Sequence, residues 1–364
     1  MTSSQLDSAP VVPPTLDAIE ANARALSGLV RQTPVTSWEE PRLARFLEAG
    51  TRVTLKLELF QHTGTFKARG ALTNVRALSP DQLARGITAV SAGNHAAAVS
   101  FAAARVGTSA TVVMPRTANP TRVALSESYG ANVHLMDDVG KAFAEVKRIE
   151  QEEGRTFVHP FEGPLTALGT ATLGLEFIRQ VPDLDAVIVP VGGGGLAAGV
   201  ACAIKQAKPG CLLLGVEPRG ADSMSRSFAE GKAVAAGPIT TIADSLAPPF
   251  SLPYSYGLCR KYLDDLVLVD DDELCRGLAL IFQGAKLAVE PAGAATTAGL
   301  IGPYRARLAG KHVGLIVCGS NIDPATYSKY LARGAELLAR GPSRCWGSRS
   351  GRASWRPSRV EAPR

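Results

Sequence analysis

From about residue 50 onward, short β-branched runs alternate with stretches of helical spacing. Apolar runs at 53–59, 87–91, 110–114, 132–136, 156–159, 185–190, 211–216, 266–269 and 312–318 predict strands. Patterns near 66–77, 95–106, 119–129, 139–153, 164–180, 195–207, 272–286 and 323–339 predict the helices between them. Ahead of these, residues 15–31 also have helical spacing, with Thr15 placed to cap, and QTPVTSW reads as an extended crossing. Strands such as DAVIVP and HVGLIVC are apolar on both faces, which suits parallel sheets covered on both sides. The pattern predicts an α/β fold, and 364 residues suffice for two such domains with a ligand cleft between them.

Composition narrows the function classes. Hydrophobic residues make up 46% of the chain, enough for a large core, yet no apolar run reaches membrane-spanning length. The opening MTSSQLDSAPVVPP lacks the basic-then-apolar pattern of a secretory signal, and residues 1–14 are expected to be a disordered lead. Six widely spaced cysteines without a CxxC pair point to reduced thiols in a cytoplasmic protein rather than to a disulfide framework or zinc site. A net charge of +6 would suit a nucleic-acid partner, but between residues 341 and 364 six arginines face a single glutamate. That stretch is expected to be a disordered tail, and the nearly neutral remainder points to neither nucleic acid nor membrane. A small-molecule substrate is the remaining expectation.

Four stretches carry candidate chemistry. In KLELFQHTGTFKARG (56–70), Phe66 and Lys67 fall just inside a predicted helix. An ammonium is disfavoured there, beside exposed N–H groups, so the amine is wanted neutral or covalently used, as in a Schiff base with an aldehyde. Gly192, Gly193, Gly194 and Gly195 follow a strand and open a helix near Leu196. Each glycine costs roughly 0.5–1 kcal/mol relative to alanine in regular structure, a loss that a phosphate gripped by bare backbone N–H groups would offset. The same segment satisfies GxGxxA, with Glu217 about twenty residues on, so a nicotinamide-dependent oxidoreductase competes for it. SAGNH (91–95) offers donors at another helix start, suited to a carboxylate, although Asn94 could simply cap and His95 simply pack. CGSN (318–321) ends the last apolar strand.

In that order, TGTFKARGA, SAGNH, VGGGGLAAG and CGSN resemble the serine/threonine dehydratase (threonine ammonia-lyase) group of pyridoxal-phosphate (PLP) enzymes, with the tryptophan-synthase-β-like, fold type II architecture. The resemblance implies a small domain at 82–158 inserted into a large one made of 15–81 and 159–340, with the active site in the cleft. It implies PLP held covalently by Lys67, its phosphate at Gly192–Gly195 and Leu196, Phe66 beside it, Asn94 on the ring hydroxyl, and Ser320 on the ring nitrogen. Ser91, Gly93, Asn94 and His95 would surround the substrate carboxylate, and a homodimer is implied as well. The expected reaction is α,β-elimination from threonine or serine, giving a 2-oxo acid and ammonia.

Departures mark out the alternatives. Ala92 stands where racemases of the group carry a serine, which counts against a serine racemase-like activity. A 3-hydroxyaspartate dehydratase would want a further cation for the second carboxylate. Metal-dependent relatives place an acidic cluster after the GxEP strand; here Glu217 and the Ala221 carbonyl could hold Mg²⁺ or Ca²⁺, but Ser223 replaces the third acid.

Overall fold

The computed structural model describes residues 11–340 except Asp138, so the expected tail and the first ten residues lie outside the described residues. Ten strands are present: β1 (Val35–Ser37), β2 (Arg52–Leu57), β3 (Ile87–Val90), β4 (Ala110–Pro115), β5 (Asn132–Met136), β6 (Thr156–Phe157), β7 (Ala186–Pro190), β8 (Leu212–Pro218), β9 (Asp265–Val269) and β10 (His312–Val317). They form a six-stranded sheet, β1-β2-β10-β7-β8-β9, and a four-stranded sheet, β5-β4-β3-β6. Every pairing is parallel except β1 with β2. The crossing read from QTPVTSW is that antiparallel edge.

Burial follows the pattern that the apolar strands predict. β3, β4, β7 and β10 are buried at every position, because helices cover both faces of each sheet. The helix Lys67–Arg76 lies against both halves of the molecule. Its Ala68, Ala71, Leu72 and Val75 join the core of the four-stranded sheet, which therefore reaches back before residue 82. Its other side crosses the helix Pro164–Gln180 where Gly70 meets Gly169: a Cβ at Gly169 would sit 2.6 Å from the Gly70 Cα. Only two bare backbones can come that close.

Five α-helices among the described residues escape the periodicity reading: Pro41–Ala44, Pro80–Arg85, Ser223–Glu230, Pro253–Tyr262 and Pro291–Ile301. The last, PAGAATTAGLI, is buried at all eleven positions and so has no polar face to reveal it. The first helix is shorter than expected, Leu16–Ala25, with Thr15 capping Ala18 N–H as anticipated. Residues 11–14 of the expected lead dock on the molecule: Tyr254 donates to the Val12 carbonyl and Gln206 to that of Pro14. Cys202, Cys211, Cys259, Cys275 and Cys318 are buried free thiols, and Cys345 lies outside the described residues. Among the described residues no helix is long and apolar enough to cross a membrane.

All four motif segments leave the C-terminal ends of parallel strands, β2, β3, β7 and β10, which is where open α/β sheets place ligands.

Candidate active site

Lys67 is the first residue of its helix and Phe66 its cap. The loop before it is fixed from β10: Phe66 N–H donates to the Cys318 carbonyl (3.2 Å), Ser320 N–H donates to Gly64 O (3.1 Å), and Thr65 bridges Gly319. Thr63 holds a φ of +68°, a costly conformation for a β-branched residue, while its carbonyl accepts from Asn321 Nδ2. The amine so placed donates to the Pro160 carbonyl at 2.7 Å and lies 5.3 Å from the Phe66 ring centroid. Burial lowers its pKa to about 8, with Cys318 and Glu290 pulling the other way. Roughly a tenth of the amine is then neutral at pH 7, against about one part in three thousand at the ordinary value.

The glycine run surrounds a small cleft of about 30 Å³ lined by Phe66, Lys67, Asn94, Gly192–Gly195, Leu196, Glu290 and Cys318. No side chain caps the helix Gly195–Ala207, so its first N–H groups have no partner of that kind. Side chains are excluded from the run by contact: a Cβ at Gly193 would meet the Phe161 ring at 2.3 Å, and one at Gly192 the Leu246 backbone at 2.9 Å. Gly194 has φ +89°, a left-handed conformation that glycine alone adopts freely. A backbone cradle, an uncapped helix start and a neutralisable amine are the donor set that a phosphorylated aldehyde needs, so the residues present fit PLP.

A second cavity of about 250 Å³ opens from the same lysine and is lined by Ser91, Gly93, Asn94 and His95 together with Phe143, Phe161, Phe250, Arg122, Asp244 and Ser245. Ser91 Oγ accepts from Gly93 N–H at 3.1 Å. Asn94 Nδ2 donates to Ser245 Oγ (3.0 Å) and to both Glu290 oxygens (2.8 and 3.1 Å), while its Oδ1 accepts from Asn321 Nδ2 (2.9 Å). His95 Nε2 donates to Val158 O at 2.7 Å, and burial with the nearby Lys67 lowers its pKa to about 3. His159 is likewise neutral, pushed to about 4 by burial, its Nδ1 accepting from Phe161 and Glu162 N–H.

Two expectations come out differently. Ser320 does not line either cavity; the chain turns there, Ile322 N–H closing on its carbonyl at 2.9 Å, and Cys318 lines the cleft instead. The doubtful metal site finds no support at the carboxylate it needs. Glu217 accepts from Met224 and Ser225 N–H (2.7 and 2.8 Å), Asp222 pairs with Arg226 (2.8 Å), and no group of three or more metal-ligating side chains occurs among the described residues.

Sequence reasoning also passed over Arg122, Glu290, Ser245, Asp244 and Phe161. Arg122 lies in the helix Pro120–Ser128 beside the four-stranded sheet, yet its guanidinium pairs with Asp244 (2.6 Å), Glu290 (3.2 Å) and the Asn321 carbonyl (2.9 Å) from the rest of the chain. Nothing in PTRVAL announces this. Gly93 makes room for it, since a Cβ there would sit 2.2 Å from Arg122 Cδ.

Residues 26–319 match the family described as pyridoxal-phosphate dependent enzyme. The chain belongs to that family. Its PLP-dependent relatives are lyases in the main, and the chain is a PLP-dependent lyase of the dehydratase group. It is 52% identical over 334 residues to phenylserine dehydratase of Ralstonia pickettii, covering 91% of this chain and all of that one. It is 38% identical over 293 residues to an L-threonine ammonia-lyase of Geobacter sulfurreducens, 80% of this chain and 72% of the relative. The structure of maize serine racemase superposes with a TM-score of 0.81 at 33% identity, over 88% of this chain and 99% of that one. The nicotinamide reading of the glycine run is thereby set aside.

Proposed function

We propose that this lyase dehydrates a β-hydroxy amino acid carrying a β-aryl group, a 3-phenylserine, releasing the corresponding 2-oxo acid and ammonia. The observation that carries this reading is the cavity beyond Lys67, whose lining includes Phe143, Phe161, Phe250, Pro248 and Pro249, an apolar surface suited to an aryl side chain. Threonine or serine would leave that surface uncovered. The extent of identity to phenylserine dehydratase supports the same choice.

In this reading Lys67 carries PLP, Gly192–Gly195 and Leu196 hold its phosphate, Asn94 meets the ring hydroxyl, and Cys318 takes the ring-nitrogen place first assigned to Ser320. PLP supplies an electron sink for the carbon bearing the amino group. Burial keeps the Cys318 thiol protonated, and a neutral thiol does not hold a proton on the ring nitrogen, so the sink stays weak and elimination is favoured over longer-lived carbanion chemistry. Ser91 and the N–H groups at the start of the helix Asn94–Val106 receive the substrate carboxylate. Once freed, the neutral Lys67 amine removes the α-proton; the β-hydroxyl departs as water and the resulting enamine hydrolyses. Residues 82–158 serve as the small domain.

Steady-state assays with 3-phenylserine, threonine and serine, following 2-oxo acid formation, test the substrate. A kcat/KM at least tenfold higher for 3-phenylserine is expected; equal or higher values with threonine would replace this reading with the threonine one.

A further inference from the structure

Asp244 and Arg122 meet at the mouth of the larger cavity. The Arg122 side chain is 6% exposed and the Asp244 side chain 57% exposed, so the carboxylate lies between a buried guanidinium and solvent. Arg122 Nη1 donates to Asp244 Oδ2 at 2.6 Å and Nη2 to Oδ1 at 3.3 Å, the two-pronged geometry with which arginine takes a carboxylate. Ser245 Oγ donates to the same Oδ1 at 3.2 Å, and Glu290 holds another edge of the guanidinium at 3.2 Å. Two acids thus surround one cation; Arg122 and Asp244 line the larger cavity, and Glu290 lines the smaller cleft beside it.

We propose that Asp244 is a specificity-determining residue: it occupies the carboxylate-binding edge of Arg122 beside the cavity and so excludes amino acids that carry a second carboxylate. The inference rests on the β-hydroxy amino acid dehydratase reading. Without Asp244, Arg122 would offer a β-carboxylate the same two donors, and one negative charge would leave the cavity rim. With it, a 3-hydroxyaspartate meets a filled site and a repelling charge, while a neutral aryl group meets neither penalty.

The test uses holoenzyme carrying Asp244→Ala, Asp244→Asn, or Asp244→Ala with Arg122→Met. Succinate, a dicarboxylate without an amine to react, is titrated calorimetrically, and kcat/KM is measured for 3-hydroxyaspartate and 3-phenylserine. Asp244→Ala is expected to bind succinate at least tenfold more tightly than wild type and to raise the hydroxyaspartate-to-phenylserine ratio at least tenfold. The gain should be smaller in Asp244→Asn, whose amide oxygen still accepts from Arg122, and should vanish in the double variant. Unchanged succinate affinity in a cofactor-loaded single variant, or a gain that survives loss of Arg122, would overturn the proposal. If Asp244→Ala does not fold, Asp244→Asn carries the test at a threshold of threefold. A wild-type enzyme inactive on 3-phenylserine would defeat the substrate reading and leave the succinate comparison to decide Asp244 on its own.

Discussion

The Lys67 amine donates to the carbonyl oxygen of Pro160, 93 residues further along the chain, at 2.7 Å. Its pKa is lowered from 10.5 to about 8 by burial, so the neutral form reaches half near pH 8. Combination of cofactor-free protein with PLP, followed by imine absorbance, should therefore accelerate about tenfold per pH unit below 8 and level off above it. Lys67→Ala should show no protein-bound imine and lose 2-oxo acid production. A capture rate that is flat from pH 6.5 to 9 would contradict the assignment.

Gly193→Ala should damage cofactor binding more than it damages the fold. The added methyl collides with the Phe161 ring at 2.3 Å, and the loop 159–162 is itself tied down, Glu162 accepting from Tyr254 and Ser255 N–H. Overpacking of this kind costs roughly 1–3 kcal/mol. Equilibrium titration with PLP is expected to show an affinity at least a hundredfold weaker, with the protein still folded by circular dichroism.

Cys318 and Ser320 separate cleanly by substitution. Cys318→Ala removes the thiol from the cleft and should shift the absorbance maximum of the bound cofactor and lower kcat at least tenfold. Ser320→Ala, outside both cavities, should stay within threefold of wild type in kcat. The reverse outcome would restore Ser320 to the site.

Glu217 gives a prediction with a definite sign. Burial raises its pKa from 4.5 to about 8, so between those values the folded state binds more protons than the unfolded one and stability falls as pH rises. Glu217→Gln keeps an oxygen for one of the two N–H groups, which reach different carboxylate oxygens, and cannot ionise; its Tm relative to wild type should rise from pH 5 to pH 8. Glu217→Ala leaves the Met224 and Ser225 N–H groups without that acceptor and should lose about 1–3 kcal/mol for each group left unsatisfied. Added Mg²⁺ or Ca²⁺ should not alter the melting of wild type.

Arg69 stands two residues after the lysine and is buried with Glu58, which it meets at 2.8 and 3.0 Å, and with Glu176 at 3.0 Å. Removing one member of a buried ion pair strands the other, at a cost of about 3–5 kcal/mol. Arg69→Met should therefore lower stability by that amount in denaturant titration, whereas an exposed pair such as Arg24 with Glu20 should contribute under about 1 kcal/mol.

The strand–helix alternation was readable because buried parallel strands and amphipathic helices each leave a period in the sequence. Strands at 87–90, 110–115 and 132–136 emerge within a residue or two of their predicted ends. Pro291–Ile301 was not readable, since a helix buried all round has no polar face to contrast with its apolar one. At the site, glycine runs and a lysine after a strand are local signals with a mechanism attached. Arg122, Asp244 and Glu290 carry no such signal: each is an ordinary charged residue until tertiary packing brings them together from 122, 244 and 290. The choice between Cys318 and Ser320 turned on one backbone turn that four letters do not encode.

The bridge from Thr65 to Gly319 joins positions some 250 residues apart. On the ribosome, the segment bearing the reactive amine leaves the exit tunnel early and waits for nearly all of the remaining translation before its partner strand arrives. Under the role proposed for Lys67, loading with the vitamin-derived aldehyde would report completed chain docking, and nascent polypeptides stalled before residue 319 should remain colourless.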